Sequence, residues 1–167
     1  QISKNLLEKE QAHRTVLAEK LSAETDPVAE FLFKELKTRI IGDSIIAKLD
    51  GRNPNYKQRV ITRITQKYLT GYWEKFDIQI TICGENDSLN IQPENIVFGC
   101  SDFFSKTILD YGKPTATSNF FFLNNNNGRI SYLGKFNLKP TNCFIELDSK
   151  LIPKNLGFPE LLLDLST

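Results

Sequence analysis

Few side chains in this sequence are of the types that perform chemistry, and their spacing keeps them apart. There is one histidine, His13. It stands in a run rich in Glu, Lys, Ala and Gln, where a solvated helix residue is the simplest reading. A single His makes no His-based metal cluster, and Cys83, Cys100 and Cys143 lack the short paired spacing of a zinc site. Ser/His/Asp or Cys/His catalysis would need His13 to fold back onto the rest of the chain. There is no Gly-rich phosphate loop. Asp77, Asp87, Glu146 and Asp148 are the carboxylates available for paired acid–base work. Asp77, however, alternates with apolar residues, and Asp87 lies in turn-forming sequence. The sequence calls for no catalytic residue, no metal and no cofactor.

The groups better suited to function are amphipathic. A small-molecule site wants an apolar wall with a few directed polar groups. Tyr68, Trp73, Asn124, Arg129, Tyr132 and Glu146 are the candidate ligand-binding set, with Tyr72 beside them. Each also suits a core, rim or turn position.

The elements that must position these residues centre on a hairpin. Asn119 to Leu123 and Arg129 to Phe136 are two β-prone runs around an Asn-rich turn. Asn127-Gly128 suits the central positions of a type I′ turn. That turn sets Leu123 opposite Tyr132, Phe121 opposite Gly134 and Asn119 opposite Phe136, on one face with Ile130. It sets Phe122 opposite Leu133 and Phe120 opposite Lys135 on the other. A one-residue slip of the turn would exchange the faces. Both faces are partly apolar. The sheet is therefore covered by helix on both sides, or by helix on one side and a ligand pocket on the other.

Residues 2–24 read as a polar helix with a thin apolar stripe at Leu6, Leu17 and Leu21, suited to pairing with a copy of itself. Asp26-Pro27 either starts a second helix, as N-cap and first residue, or kinks a continuous one. Val28, Phe31, Leu32, Leu36, Ile40 and Ile41 then form the stripe expected to dock on the sheet. A helical turn over 44–49 and a helix over 55–70 follow, the latter with Tyr56, Val60, Ile64, Lys67 and Tyr68 at helical steps. Phe76, Ile78, Ile80 and Ile82 alternate with polar residues and mark a strand. Ser88–Ile91 is a short strand, and Ser101 caps a helix containing Phe103, Phe104, Ile108 and Leu109. Cys143–Leu147 is a fifth strand, with Cys143, Ile145 and Leu147 on one face. Cys83 and Cys143 are expected as buried free thiols. The Pro-punctuated tail from Leu151 to Leu163 is expected to pack as a loop or short helix.

A chain of 167 residues suits one domain. Its divisions are N-terminal helices over 1–40, a helical segment over 41–75 and a sheet region over 76–167. The net charge of +1 gives no electrostatic case for nucleic acid or an anionic membrane. There is no Met and the sequence opens on Gln1, so a processed or excised piece of a longer protein is expected.

This order of elements resembles the extracytoplasmic Cache/PDC sensor domains, the PAS-like modules of bacterial sensor kinases and chemoreceptors. Asp26-Pro27-Val28-Ala29-Glu30-Phe31-Leu32-Phe33, Gly71-Tyr72-Trp73-Glu74-Lys75-Phe76-Asp77, Asn125 to Tyr132 and Phe144-Ile145-Glu146-Leu147-Asp148-Ser149-Lys150 are similar to the periplasmic region of sensor histidine kinases from Bacteroidetes. The resemblance implies an α+β fold: a long N-terminal helix, kinked or restarted at Pro27, on a five-stranded antiparallel PAS/Cache-like sheet with helices and loops on the other face. It implies a parent kinase anchored by membrane helices outside this stretch, a periplasmic location and a parallel homodimer through the N-terminal helix. The signal would be a small molecule or a protein, relayed by a shift of that helix. A module for protein interaction or assembly, and a small hydrolase, are the other readings.

Overall fold

The computed structural model describes residues 25–124 and 128–150. In chain order they form α1 (Pro27–Ile41), α2 (Ser44–Ala47), α3 (Tyr56–Lys67), a 3-10 helix (Gly71–Lys75), β1 (Phe76–Cys83), β2 (Ser88–Ile91), β3 (Ile96–Gly99), α4 (Cys100–Tyr111), β4 (Gly112–Pro114), β5 (Phe120–Leu123), β6 (Ser131–Leu138) and β7 (Thr141–Ser149). The fold is α+β. A five-stranded sheet runs in the order β1-β7-β6-β5-β4, antiparallel throughout, and β2 pairs with β3 in a separate ribbon.

Helix α1 starts afresh at Pro27. The Asp26 carboxylate accepts the Ala29 N–H at 3.1 Å, and the Asp26 backbone is not helical. Of the two readings of Asp26-Pro27, the N-cap holds and the kink does not. The expected lead helix over 2–24 and the tail over 151–163 lie outside the described residues.

The buried face of α1 is Ala29, Phe33, Leu36 and Ile40. The expected stripe is corrected at three positions: Val28, Phe31 and Ile41 are 51%, 73% and 51% exposed. Both sets have helical spacing, and close approach selects between them. Gly134 of β6 presents bare backbone, and the fully buried ring of Phe33 lies against it. A Cβ at Gly134 would stand 2.3 Å from Phe33 Cζ. Phe33 also stacks on Phe120 at 4.1 Å between centroids, and Phe120 stacks on Tyr132 at 4.7 Å.

That stack fixes the hairpin register. Phe120 faces Gly134, Phe121 faces Leu133 and Phe122 faces Tyr132. The expected pairing is thus off by one residue, and the faces of β5 are exchanged. The slip places Phe120 and Phe122 with Tyr132 in the core under α1 and leaves Phe121 half-buried. Three aromatic rings buried together outweigh the preference of one turn pair, since cross-strand ring contacts each stabilise by about 0.2–1 kcal/mol.

The sheet has five strands, but not the five expected. Ser88–Ile91 belongs to the separate ribbon, and β4 takes its place at the other edge. Neither β3 nor β4 was expected. At three residues including Pro114, β4 is too short to carry a period.

The face of the sheet away from α1 carries a second core: Cys83, Cys100, Phe104, Leu123, Leu133 and Phe144. There the expectation of a free Cys83 is corrected. Cys83 is joined to Cys100, 17 positions on. The bond ties the end of β1 to the first residue of α4 and closes the loop that holds the β2–β3 ribbon. Cys143 is free and buried, as expected.

Replacing Gly134 by Ala should destabilise the fold by about 1–3 kcal/mol. In urea melts, the pair Gly134→Ala with Phe33→Leu should cost less than the sum of the two single changes. Replacing Cys83 and Cys100 by Ser should cost about 3 kcal/mol.

Candidate functional site

The six candidate ligand residues are dispersed. Tyr68 follows α3 and gives its hydroxyl to Asp43. Trp73 is buried in the 3-10 helix, edge-on to Phe33 and Tyr72. Tyr132 is buried in the middle of the sheet. Arg129 donates to the Ser149 carbonyl at 2.7 Å and to Asp77 at 2.7 Å. Asn124 is exposed after β5, where its N–H bonds the Tyr111 carbonyl. Glu146 is half-buried on the α4 face, where burial, and then the neighbouring Asp148, push its carboxyl up. Among the described residues, the clefts along α3, beside Pro140 and beside Lys139 are lined by none of the six. The space under α1 is filled by Phe33, Phe120, Phe136 and Trp73. Clefts among the described residues lie elsewhere. One of about 490 Å³ runs along Asn55, Arg59 and Gln66 of α3 and its start. Another of about 460 Å³ lies between Lys57, Asp87 and Pro140. Among the described residues, no group of three or more His, Cys, Asp or Glu side chains is placed to hold a metal ion.

Polar groups do converge at one end of the sheet, around Asp26. Its carboxylate caps α1, accepts Tyr72 and accepts Lys75 Nζ at 2.8 Å. Its backbone N–H donates to Tyr132 Oη at 2.8 Å, and that hydroxyl donates to Glu30 at 2.6 Å. Tyr132 is thus the link between floor and helix. The Lys75 carbonyl accepts the N–H of Lys150 at 3.1 Å. One residue therefore touches both Asp26, which opens α1, and Lys150, which follows β7. Arg129 holds the same end through the carbonyl of Ser149.

The charges in this clasp are tuned by these contacts. Burial alone would raise the Asp26 carboxyl. The bonds from Lys75, Tyr72 and the Ala29 N–H outweigh it and hold the group below the ordinary carboxylate range. The Asp26 bond raises Lys75. Burial, then the bond to Asp26, raises Tyr72, while burial, then Glu30, raises Tyr132. The arrangement suits a fixed joint between helix and sheet. The sequence carried a signal for part of it, since Asp26 reads as an N-cap. It carried none for Lys75 or Glu30, which are two charges among many.

A second buried carboxylate works in the same way. Asp43 caps α2 through the N–H groups of Ile45 and Ile46 and accepts Tyr68 and Arg63. Burial opposes its charge. The bonds from Tyr68, the Ile46 N–H and Arg63 prevail and bring it down to about 2.

No protein-family model matches this chain, and no curated protein or solved structure matches it.

Both carboxyls are depressed in the folded chain, so the unfolded chain binds protons more readily as pH falls. Their stabilisation is present above the ordinary carboxylate value of 3.8 and is lost below it, for Asp43 down to about 2. Urea midpoints measured from pH 6 to pH 2 should fall most steeply across that window. Asp43→Asn should lower stability at pH 6 by about 2 kcal/mol and flatten the fall.

Proposed function

We propose that this chain is the extracytoplasmic signal-sensing domain of a membrane-bound two-component sensor histidine kinase, and that it relays a stimulus through its N-terminal helix. The observation that carries the reading is the clasp at Lys75, which brings residue 26 and residue 150 to the same end of the sheet. That geometry suits a module inserted between two anchoring segments on one side of a membrane. A stimulus that alters the sheet alters the setting of α1 through Tyr132, Asp26 and Lys75. A two-state helix needs only a small displacement to pass that on.

Two further features support this reading. The Cys83–Cys100 bond is of the kind that forms and persists in oxidising compartments, which fits a periplasmic position. Val28, Phe31 and Ile41 are exposed along α1, leaving an apolar stripe for a parallel helix pair in the parent protein. No helix among the described residues is long and apolar enough to cross a membrane, so the anchors of this reading are other segments of the parent.

One observation favours a second reading, a protein-interaction or assembly module without a small-molecule ligand. The floor under α1 is filled by the chain's own rings, where the expected alternative was a pocket on one face. Within the sensory reading, the same observation points to a protein signal.

The test is made in cells that carry the full-length parent. Leu109 is 83% exposed, and the Leu109→Cys variant should react with a membrane-impermeant maleimide in intact cells. Labelling only after the inner membrane is opened would overturn the location. Alkylation of unfolded protein before reduction should reach Cys143 and spare Cys83 and Cys100. Asp26→Asn, which weakens the clasp, should shift the basal autophosphorylation of the parent. An unchanged basal level and an unchanged response to stimulus would defeat the relay.

A further inference from the structure

The two edges of the sheet are treated differently. An edge strand is a row of unpaired backbone groups, and proteins commonly blunt it with short length, Lys or Pro. The edge at β4 is blunted in this way: it has three residues, two of them Lys113 and Pro114. The edge at β1 is eight residues long, Phe76–Cys83, without Lys or Pro. Its ladder with β7 pairs residue for residue, from Phe76 with Ser149 to Cys83 with Asn142, without a bulge.

The register shows which backbone groups face outward. Lys150 N–H bonds the Lys75 carbonyl, so residues 75 and 150 form a hydrogen-bonded pair. The Ser149 N–H bonds Ile130 on the other side, which fits the same phase. Alternation then turns the groups of Asp77, Gln79, Thr81 and Cys83 toward β7, and those of Ile78, Ile80 and Ile82 away from it. Among the described residues, no hydrogen bond reaches the outward N–H and C=O groups of Ile78 and Ile80. Their side chains are half-buried on the α3 side. On the opposite face, Asp77 stands directly across from Asp148, with Glu146 next to it on β7. Two like charges across a ladder repel; Arg129 pairs with Asp77 at 2.7 Å and also donates to the Asp148 carbonyl at 3.4 Å. The Asp77 side chain remains 63% exposed.

We propose that the outer edge of β1 is a docking site for an extended peptide segment of another protein. The segment adds to the sheet as an antiparallel strand, apolar on the α3 side and carrying a Lys or Arg on the side of Asp77. Backbone bonds to Ile78 and Ile80 supply the attachment, and alternate side chains supply the selectivity. This names the partner class for the protein signal of the sensory reading, and so rests on that reading for its purpose. Its binding, however, is read on the isolated chain. Other occupants fit less well. The segment 151–167 contains Pro153 and Pro159, each of which removes a ladder donor, and its Pro-free stretch over 160–167 is apolar and acidic, with no Lys or Arg to set against Asp77. A second copy paired antiparallel would point its clasp the opposite way.

The probe is a capped octapeptide, Thr-Val-Lys-Val-Thr-Val-Lys-Val, added to the isotopically labelled 167-residue chain. The Ile78 and Ile80 amides should shift and their hydrogen exchange should slow by about tenfold or more. The Asp77 and Gln79 amides, already bonded to β7, should gain much less. Exchanging Lys for Glu in the peptide should weaken binding by about tenfold. Ile80→Pro, which removes an outward donor and leaves the β7 ladder whole, should abolish binding with the melt retained, and Asp77→Lys should reverse the preference for charge. Three results would overturn the proposal: no shift with the peptide at millimolar concentration, equal binding of the Lys and Glu peptides, or Ile78 and Ile80 amides already protected in the free chain. The last would mean that the edge is filled by the chain's own segment or by a second copy. Binding with cytoplasmic labelling of the parent would keep the docking edge and remove the sensory reading.

Discussion

The ring of Phe33 lies against the bare backbone of Gly134, and much of the architecture follows from that approach. It lets α1 sit close enough for Ala29, Leu36 and Ile40 to bury on the same side as Phe33. It draws Phe120 into a stack beneath Phe33 and Tyr132 into a stack against Phe120. Once those rings share a face, the pairing of β5 with β6 is set, because side chains alternate strictly along a strand. A filled floor is the consequence. The face that could have held a small molecule is occupied by the protein's own aromatic residues.

Polar contacts then decide how this core meets the rest of the chain. Tyr132 has its ring in the stack and its hydroxyl at the start of α1, where it accepts the Asp26 N–H and donates to Glu30. Burying a tyrosine is inexpensive when its hydroxyl is satisfied, and here the partners belong to the helix that the ring supports. Asp26, Tyr72 and Lys75 extend this to the 3-10 helix, and the carbonyl of Lys75 reaches the end of β7. At the opposite end of β1, the Cys83–Cys100 bond fixes α4 to the sheet. The first strand is thus held at both ends, while its outer edge carries no ladder among the described residues.

The candidate site was legible only where local sequence carries local chemistry. Asp26-Pro27 announces a helix start because capping involves residues three apart. The second task of Asp26, holding Lys75 and Tyr72, depends on residues nearly fifty positions away and leaves no periodic trace. Tyr132 was among the candidate residues, but its role as a joint depends on Glu30, which no pattern connects to it. Asn124, Arg129, Glu146 and Tyr68 read from the sequence as groups near the sheet. The structure spreads them over two faces and a loop, because nearness in predicted elements does not specify a common direction. The disulfide was missed for a related reason: Cys83 reads as one apolar residue in an alternating strand, and its partner lies in the stretch with the weakest period.

Periodicity by itself determined the strand over Phe76–Ile82, the middle of β7 over Cys143–Leu147, the faces of β6 and β7, and a helix over 55–70 that the structure shortens to Tyr56–Lys67, with Tyr56, Val60 and Ile64 buried. These follow from a repeat of two or of about three and a half residues, which any apolar–polar boundary imposes. The tertiary structure decided which side of α1 is buried, how β5 is phased against β6, which short strand completes the sheet and which cysteines pair. In each case the sequence offers more than one arrangement of similar local merit. The choice falls to packing, where a glycine admits one ring and the remaining side chains settle around it.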